Sequence, residues 1–215
     1  MLEGVHYIAI EGPVGVGKTT LARALAKRLD ARLVLEPAEQ NPFLEKFYGD
    51  MPKYALATQL AFLVSRHKQQ ADLLQRDLFS SMVVSDYMLA KDGIFAALTL
   101  SDAELALYHQ LHEAIAARAA RPDIVVLLQA DSETLMSRIR GRAIPYECGL
   151  SREYIERLVA AYDDFFRVYA ESPVIVVDTS HVDYSKGGID LDELIAGIEL
   201  SMGGRGAAAS KTPAR

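Results

Sequence analysis

"EGPVGVGKTT", residues 11–20, decides how the rest of the chain is read. From Gly12 it fits the pattern G-x-x-x-x-G-K-[ST]. The apolar run "VHYIAIE" (5–11) precedes it and the amphipathic "LARALAKRL" (21–29) follows. A strand, a glycine-rich turn and a helix in that order form a cradle for phosphate groups. The glycines let backbone N–H groups turn inward, and the helix offers its positive N-terminus. Gly12, Val14, Gly15, Val16, Gly17, Lys18, Thr19 and Thr20 are therefore the expected nucleotide-binding residues. Lys18 adds a mobile cation, and the Thr19 hydroxyl can ligate Mg2+. The motif predicts that a nucleoside triphosphate binds and says nothing of what receives its phosphate.

Working outward, "RLVLE" (32–36), "MVVSD" (82–86), "DIVVLLQA" (123–130) and "PVIVVD" (173–178) join 5–11 as five expected strands. They are continuously apolar rather than alternating, as befits parallel strands covered on both faces. Helical patterns fall at 18–30, 52–77, 101–120, 132–141 and 151–171. This alternation implies a doubly wound α/β fold, with ligands bound beyond the carboxyl ends of the strands. Beyond the strand that leads into the cradle, three expected strands end in an acid, Glu36, Asp86 or Asp178, and these should gather on one edge of the sheet.

A chain of 215 residues, half of them apolar, predicts one domain, placed at 1–202, with "GGRGAAASKTPAR" (203–215) as a tail without structure. The net charge of −6 argues against nucleic acid or an anionic membrane as the main partner. Cys148 is the single cysteine, which excludes an internal disulfide and suits a reducing cytoplasm. The first residues lack a signal peptide's basic start and apolar run, and no stretch reaches the roughly 20 apolar residues of a membrane span. His6, His67, His109, His112 and His181 form no metal-binding spacing with Cys148.

Four more stretches follow the cradle in order: "LEPAEQNPF" (35–43), "FYGDMPKYALATQLAFLVSRHKQ" (47–69), "VVSDYMLAKDGIFA" (83–96) and "RAIPYE" (142–147). Together they resemble the deoxynucleoside kinase family, from about residue 7 to residue 178. The resemblance implies a P-loop kinase fold: a five-stranded parallel sheet flanked by helices, with a mobile lid. It also implies a homodimer and direct transfer of the ATP γ-phosphate to a nucleoside 5′-hydroxyl. Glu36 matches the family's general base, and Pro37 helps hold its backbone extended. Asp86 matches an acid that assists Mg2+. The family follows that acid with Arg; here Tyr87 follows, so the arginine's work passes elsewhere or the transfer is slow.

Charge on the transferred phosphoryl group needs cations beyond Lys18 and Mg2+. The lid, about 138–150, supplies Arg138, Arg140 and Arg142, of which Arg138 and Arg142 lie one helical turn apart and are the expected pair. Glu147 matches the acid that binds the sugar 3′-hydroxyl, and Tyr48 matches its partner. In helix 52–77, Leu56, Leu60 and Leu63 make an apolar stripe, and Gln59, Phe62 and Arg66 share the adjacent face. That face suits a flat heteroaromatic ring. Gln59 matches the family's base-reading glutamine. Arg66 and Asp92 match a cation and an acid kept by purine- and cytosine-accepting members, and Phe95 is the expected stacking ring. A purine deoxynucleoside is thus the favoured acceptor, with deoxycytidine second.

Two other readings stand beside this one. A nucleoside monophosphate kinase shares the cradle, but thymidylate kinases place Arg before the Glu-Pro pair, where this chain has Leu35. A non-catalytic nucleotide-binding subunit would account for Tyr87.

Overall fold

The computed structural model describes residues 2, 4–74, 82–116, 120–147, 149–182, 188–203 and 211–212. The five expected strands all form: β1 (Tyr7–Glu11), β2 (Arg32–Val34), β3 (Val83–Ser85), β4 (Ile124–Gln129) and β5 (Val174–Asp178). A sixth, β6 (Lys211–Thr212), pairs parallel with β5 at the sheet edge. Of the expected tail, this two-residue pair is the described part apart from Gly203. The order is β2-β3-β1-β4-β5-β6, and every pairing is parallel. Residues of β1 are buried throughout, which is what a central strand covered on both faces requires.

The helices are α1 (Lys18–Leu29), α2 (Leu44–Gly49), α3 (Met51–Leu74), α4 (Asp92–Thr99), α5 (Asp102–Ala116), α6 (Ser132–Arg142), α7 (Arg152–Val168) and α8 (Leu191–Gly203). The expected ends 75–77 and 117–119 of two helices lie outside the described residues. Ile8, Ile10, Ile124, Val126 and Leu128 of the sheet pack with Leu25 of α1, Leu135 of α6, Leu158 of α7 and Ile198 of α8 in one core. α6 starts on an Asp131 cap, whose side chain accepts from the Thr134 N–H at 2.7 Å. It stops where Ala143 turns left-handed, at φ 52°. None of the described helices is long and apolar enough to cross a membrane.

β1 lies between β3 and β4, and the chain fills β2 and β3 on one side before crossing to β4 and β5 on the other. The loops that follow β1, β2 and β3 therefore part at the carboxyl edge, which is where a doubly wound sheet opens a crevice.

Candidate active site

The glycine-rich loop occupies the head of that crevice. Gly12 holds φ at 145°, and a Cβ there would stand 2.3 Å from the Leu128 carbonyl oxygen, so strand β4 passes too close for any side chain. The Val16 side chain points into the core, fully buried, so only its backbone is left to serve a phosphate. Lys18 Nζ donates to the Gly12 and Pro13 carbonyls at 2.7 and 3.0 Å, folding back over the loop. Burial, then repulsion from Lys91, push the Lys18 ammonium down to about 8.

Beyond β2 and β3, Glu36 and Asp86 face the same cavity, about 900 Å³ and open to solvent. Thr19 Oγ1 donates to Asp86 Oδ2 at 2.5 Å, and the Glu36 N–H donates to Asp86 Oδ1 at 2.8 Å. A hydroxyl and a carboxylate oxygen side by side at the phosphate end are hard donors that fit Mg2+, which keeps most of its own waters. No cluster of three or more His, Cys, Asp or Glu suited to a metal ion occurs among the described residues.

Glu36 is the hub of a buried charge cluster. Arg66 Nε donates to its Oε1 at 2.7 Å, and Lys91 Nζ to its Oε2 at 2.7 Å. The Arg66 guanidinium also pairs with Asp92, which is fully buried. Two cations thus answer two carboxylates. Burial alone would raise the Glu36 carboxyl, but Arg66 and then Lys91 outweigh it and hold it down to about 2. Such a cluster is weak evidence for stability, because apolar residues of similar volume generally serve the fold as well. Several shifted groups in a cleft are instead the mark of a site.

The face of α3 expected to meet a ligand does line the cavity, through Gln59, Phe62 and Arg66. It is also the deeper face. Ala55, Thr58, Gln59, Leu63 and Arg66 are buried, whereas Leu56 and Leu60 of the expected apolar stripe are only half-buried. The helix turns its polar side inward because the cavity lies there. The Phe62 ring lies 4.7 Å from the Arg66 guanidinium carbon. Phe95 closes the opposite wall and meets Tyr162 edge-on at 6.3 Å. At the other end Tyr48 stacks on Tyr146 at 5.8 Å, and Arg142 pairs with Glu147 at 2.8 Å; all four line the cavity. Burial raises the Glu147 carboxyl, and Arg142 opposes the rise.

Two expectations need correction. Arg138 does not join Arg142. Its guanidinium donates to the Thr179 hydroxyl at 3.1 Å and to the Val182 carbonyl at 2.9 Å, so the loop after β5 holds it. Arg140 is exposed. Asp178 lies at the carboxyl edge but lines a separate cavity with Asp131 and Asp163, because β5 stands two strands from β1. Its carboxylate accepts from the Ser180 N–H at 2.9 Å and closes a local turn.

Sequence reasoning missed two residues. Lys91 was hidden among apolar neighbours in "YMLAKDGIF" (87–95), although a lysine beside an acid in such a run is itself a signal. Glu11, the last residue of β1, is fully buried and accepts from the Gly12 N–H, the Met88 N–H and the Tyr162 hydroxyl, each at 3.0 Å. It ties the cradle to β3 and α7. Tyr87 is also buried, and its ring lies 5.9 Å from both the Arg66 guanidinium carbon and Lys91 Nζ.

Comparison with known proteins places this geometry among relatives. The deoxynucleoside kinase family model matches residues 8–199. Deoxyguanosine kinase of Bacillus subtilis is 31% identical over 198 residues, covering 90% of this chain and 96% of that protein. Deoxyadenosine/deoxycytidine kinase of the same organism is 34% identical over 176 residues, covering 78% and 80%. Among solved structures, deoxyadenosine kinase from M. mycoides with bound dATP superposes with a TM-score of 0.79 at 26% identity, covering 90% of this chain and 98% of that one.

Proposed function

Because the chain belongs to the deoxynucleoside kinase family, we propose that its cradle holds ATP, that its cavity holds a deoxynucleoside, and that the γ-phosphate passes to the 5′-hydroxyl to give the 5′-monophosphate. The observation that carries this reading is the place of Glu36. Its backbone contacts Asp86, which contacts Thr19 of the cradle, and its carboxylate contacts Arg66, which contacts Asp92. One carboxylate therefore lies between a phosphate end and a base-reading end.

Glu36 accepts the 5′-hydroxyl proton as the oxygen meets phosphorus. With both cations on it the carboxylate is a weak base. A nucleobase that accepts from Arg66 draws that cation away and restores basicity, so binding the right base readies the proton acceptor. Lys18 and Arg142 take charge from the transferred phosphoryl group. Thr19 and Asp86 would hold Mg2+, which neutralises charge on the β- and γ-phosphates. Tyr48 and Glu147 take the sugar 3′-hydroxyl. The segment from about 138 to 150 acts as a lid, in which Arg142 moves over the phosphates and Arg138 anchors the hinge side.

Gln59, Arg66 and Asp92 read the base, flanked by Phe62 and Phe95. Guanine offers O6 and N7 to the arginine, and adenine offers N7 with an amino donor for the acid or the amide. Thymine brings a carbonyl and a methyl group, leaving Asp92 without a donor, and unpaired buried groups cost about 1–3 kcal/mol each. Deoxyguanosine or deoxyadenosine is the first choice, deoxycytidine the next and thymidine the last. Relatives named deoxyguanosine and deoxyadenosine kinases support the purine preference, and one named deoxyadenosine/deoxycytidine kinase supports deoxycytidine as a further acceptor. The enzyme works in the cytoplasm as a homodimer. Exposed Val64 of α3 and exposed Leu107 and Leu111 of α5 support an interface there.

Release of ADP measured with a panel of nucleosides and nucleoside monophosphates tests the reading. Turnover with purine deoxynucleosides is expected. Turnover with monophosphates alone would make it a monophosphate kinase, and ATP binding without any turnover would make it a subunit.

A further inference from the structure

Lys91 ends the one-turn helix Leu89–Lys91 and is 3% exposed. Its ammonium lies 2.7 Å from Glu36 Oε2, and it lines the cavity with Lys18, Thr19 and Asp86. Its charge is felt at Lys18. Two ammonium groups thus flank the space between the cradle and the base, one on the donor side and one on the acceptor side. Arg66 is shared between Glu36 and Asp92, so Lys91 completes the charge balance on Glu36 only while that carboxylate is ionised. Once Glu36 takes up a proton Lys91 needs another anionic partner, and the cavity beside it is where phosphate arrives.

We propose that Lys91 is a catalytic residue, the acceptor-side cation that passes from Glu36 to the phosphoryl group during transfer. The proposal rests on the reading of Glu36 as the base. In the step, the bond between O5′ and the γ-phosphorus forms, and the bond from that phosphorus to the bridging oxygen of ADP breaks. The 5′-hydroxyl proton goes to Glu36. Protonation discharges the carboxylate that held Lys91, while a phosphate monoester with new negative charge forms beside it. Arg66 stays with Asp92, and Lys91 moves to a monoester oxygen. Cradle and acceptor wall then each contribute one lysine to the phosphoryl oxygens.

The test measures single-turnover transfer from ATP to a deoxynucleoside by rapid quench in the wild type, Lys91→Met, Lys91→Arg and Glu36→Gln, with ATP and nucleoside affinities measured alongside. Lys91→Met is expected to slow transfer about a hundredfold and to leave both affinities within about threefold, with Lys91→Arg recovering at least about tenfold of the loss. A Lys91→Met enzyme as fast as the wild type, beside a Glu36→Gln enzyme that is not, overturns the role of Lys91 alone. A wild type that phosphorylates no deoxynucleoside overturns the underlying reading instead. A crystal structure of the wild type with ADP and the nucleoside monophosphate decides the matter without a variant. Lys91 Nζ is expected within hydrogen-bond distance of the monoester, and finding it still on Glu36 overturns the proposal.

Discussion

The cradle at 12–18 and the acceptor wall facing it are built from different materials. The cradle is backbone, shaped by glycines at φ 145°, 87° and 106°, and it comes from one continuous stretch. The wall is side chains from separate segments: Glu36 after β2, Gln59 and Arg66 on α3, Lys91 and Asp92 before and in α4, and Glu147 beyond α6. Backbone N–H groups suit an invariant ligand such as a triphosphate. Side chains held by ion pairs can be re-paired, and re-pairing is what choosing among bases requires. The difference predicts that damage to one region can leave the other's ligand bound.

The largest effect should come from Glu36→Gln, which keeps shape and removes the proton acceptor. Transfer measured by rapid quench should fall at least about a hundredfold while ATP and nucleoside affinities hold. A loss under about tenfold, roughly 1.4 kcal/mol, would move the proton acceptor elsewhere.

Gly12→Ala should act on the other region. A side chain there meets the Leu128 carbonyl, and the φ of 145° resists any Cβ. Strain of about 1–3 kcal/mol, besides the collision, should weaken ATP binding up to about a hundredfold. Nucleoside affinity should stay within a few-fold in the same calorimetric titrations, and an equal loss of both would break the independence of the two regions.

The two regions should also separate by pH. Lys18 is held down to about 8 and Glu36 down to about 2. Phosphate prefers the charged lysine, so ATP affinity should be flat below about pH 8. It should then weaken as pH rises through that value, by up to about tenfold per unit. Nucleoside affinity should stay flat across that same rise, because Glu36 stays ionised there. Lys18→Met should abolish the slope for ATP.

The same contrast explains what could be read from the chain. A cradle made of consecutive residues is legible as a string, and the five longer strands follow from continuous apolar runs. Gln59, Phe62 and Arg66 were legible because a helix turns spacing into a face. Arg138 was not, since spacing puts it beside Arg142 and only the tertiary fold shows that the Thr179–Val182 loop holds it. Lys91 was missed because its partner, Glu36, is 55 residues away and meets it only when β2 and β3 lie side by side. Asp178 misled for a related reason: ending a strand on the ligand-binding edge does not say which cavity an acid faces.

The central claim is that the Arg66–Asp92 edge chooses the base and, through Arg66, frees Glu36. The direct measurement is the ratio of kcat/KM for deoxyguanosine or deoxyadenosine over thymidine, in the wild type and in a double variant carrying Arg66→Met and Asp92→Ala. In the double variant Glu36 is free of that cation with every acceptor, so the ratio loses both the choice of base and the coupling through Arg66. The account predicts a wild-type ratio of at least about tenfold, from about 1–3 kcal/mol per unpaired group, and a ratio near or below one in the double variant. A wild type that prefers thymidine, or a ratio that both substitutions leave unmoved, would contradict it.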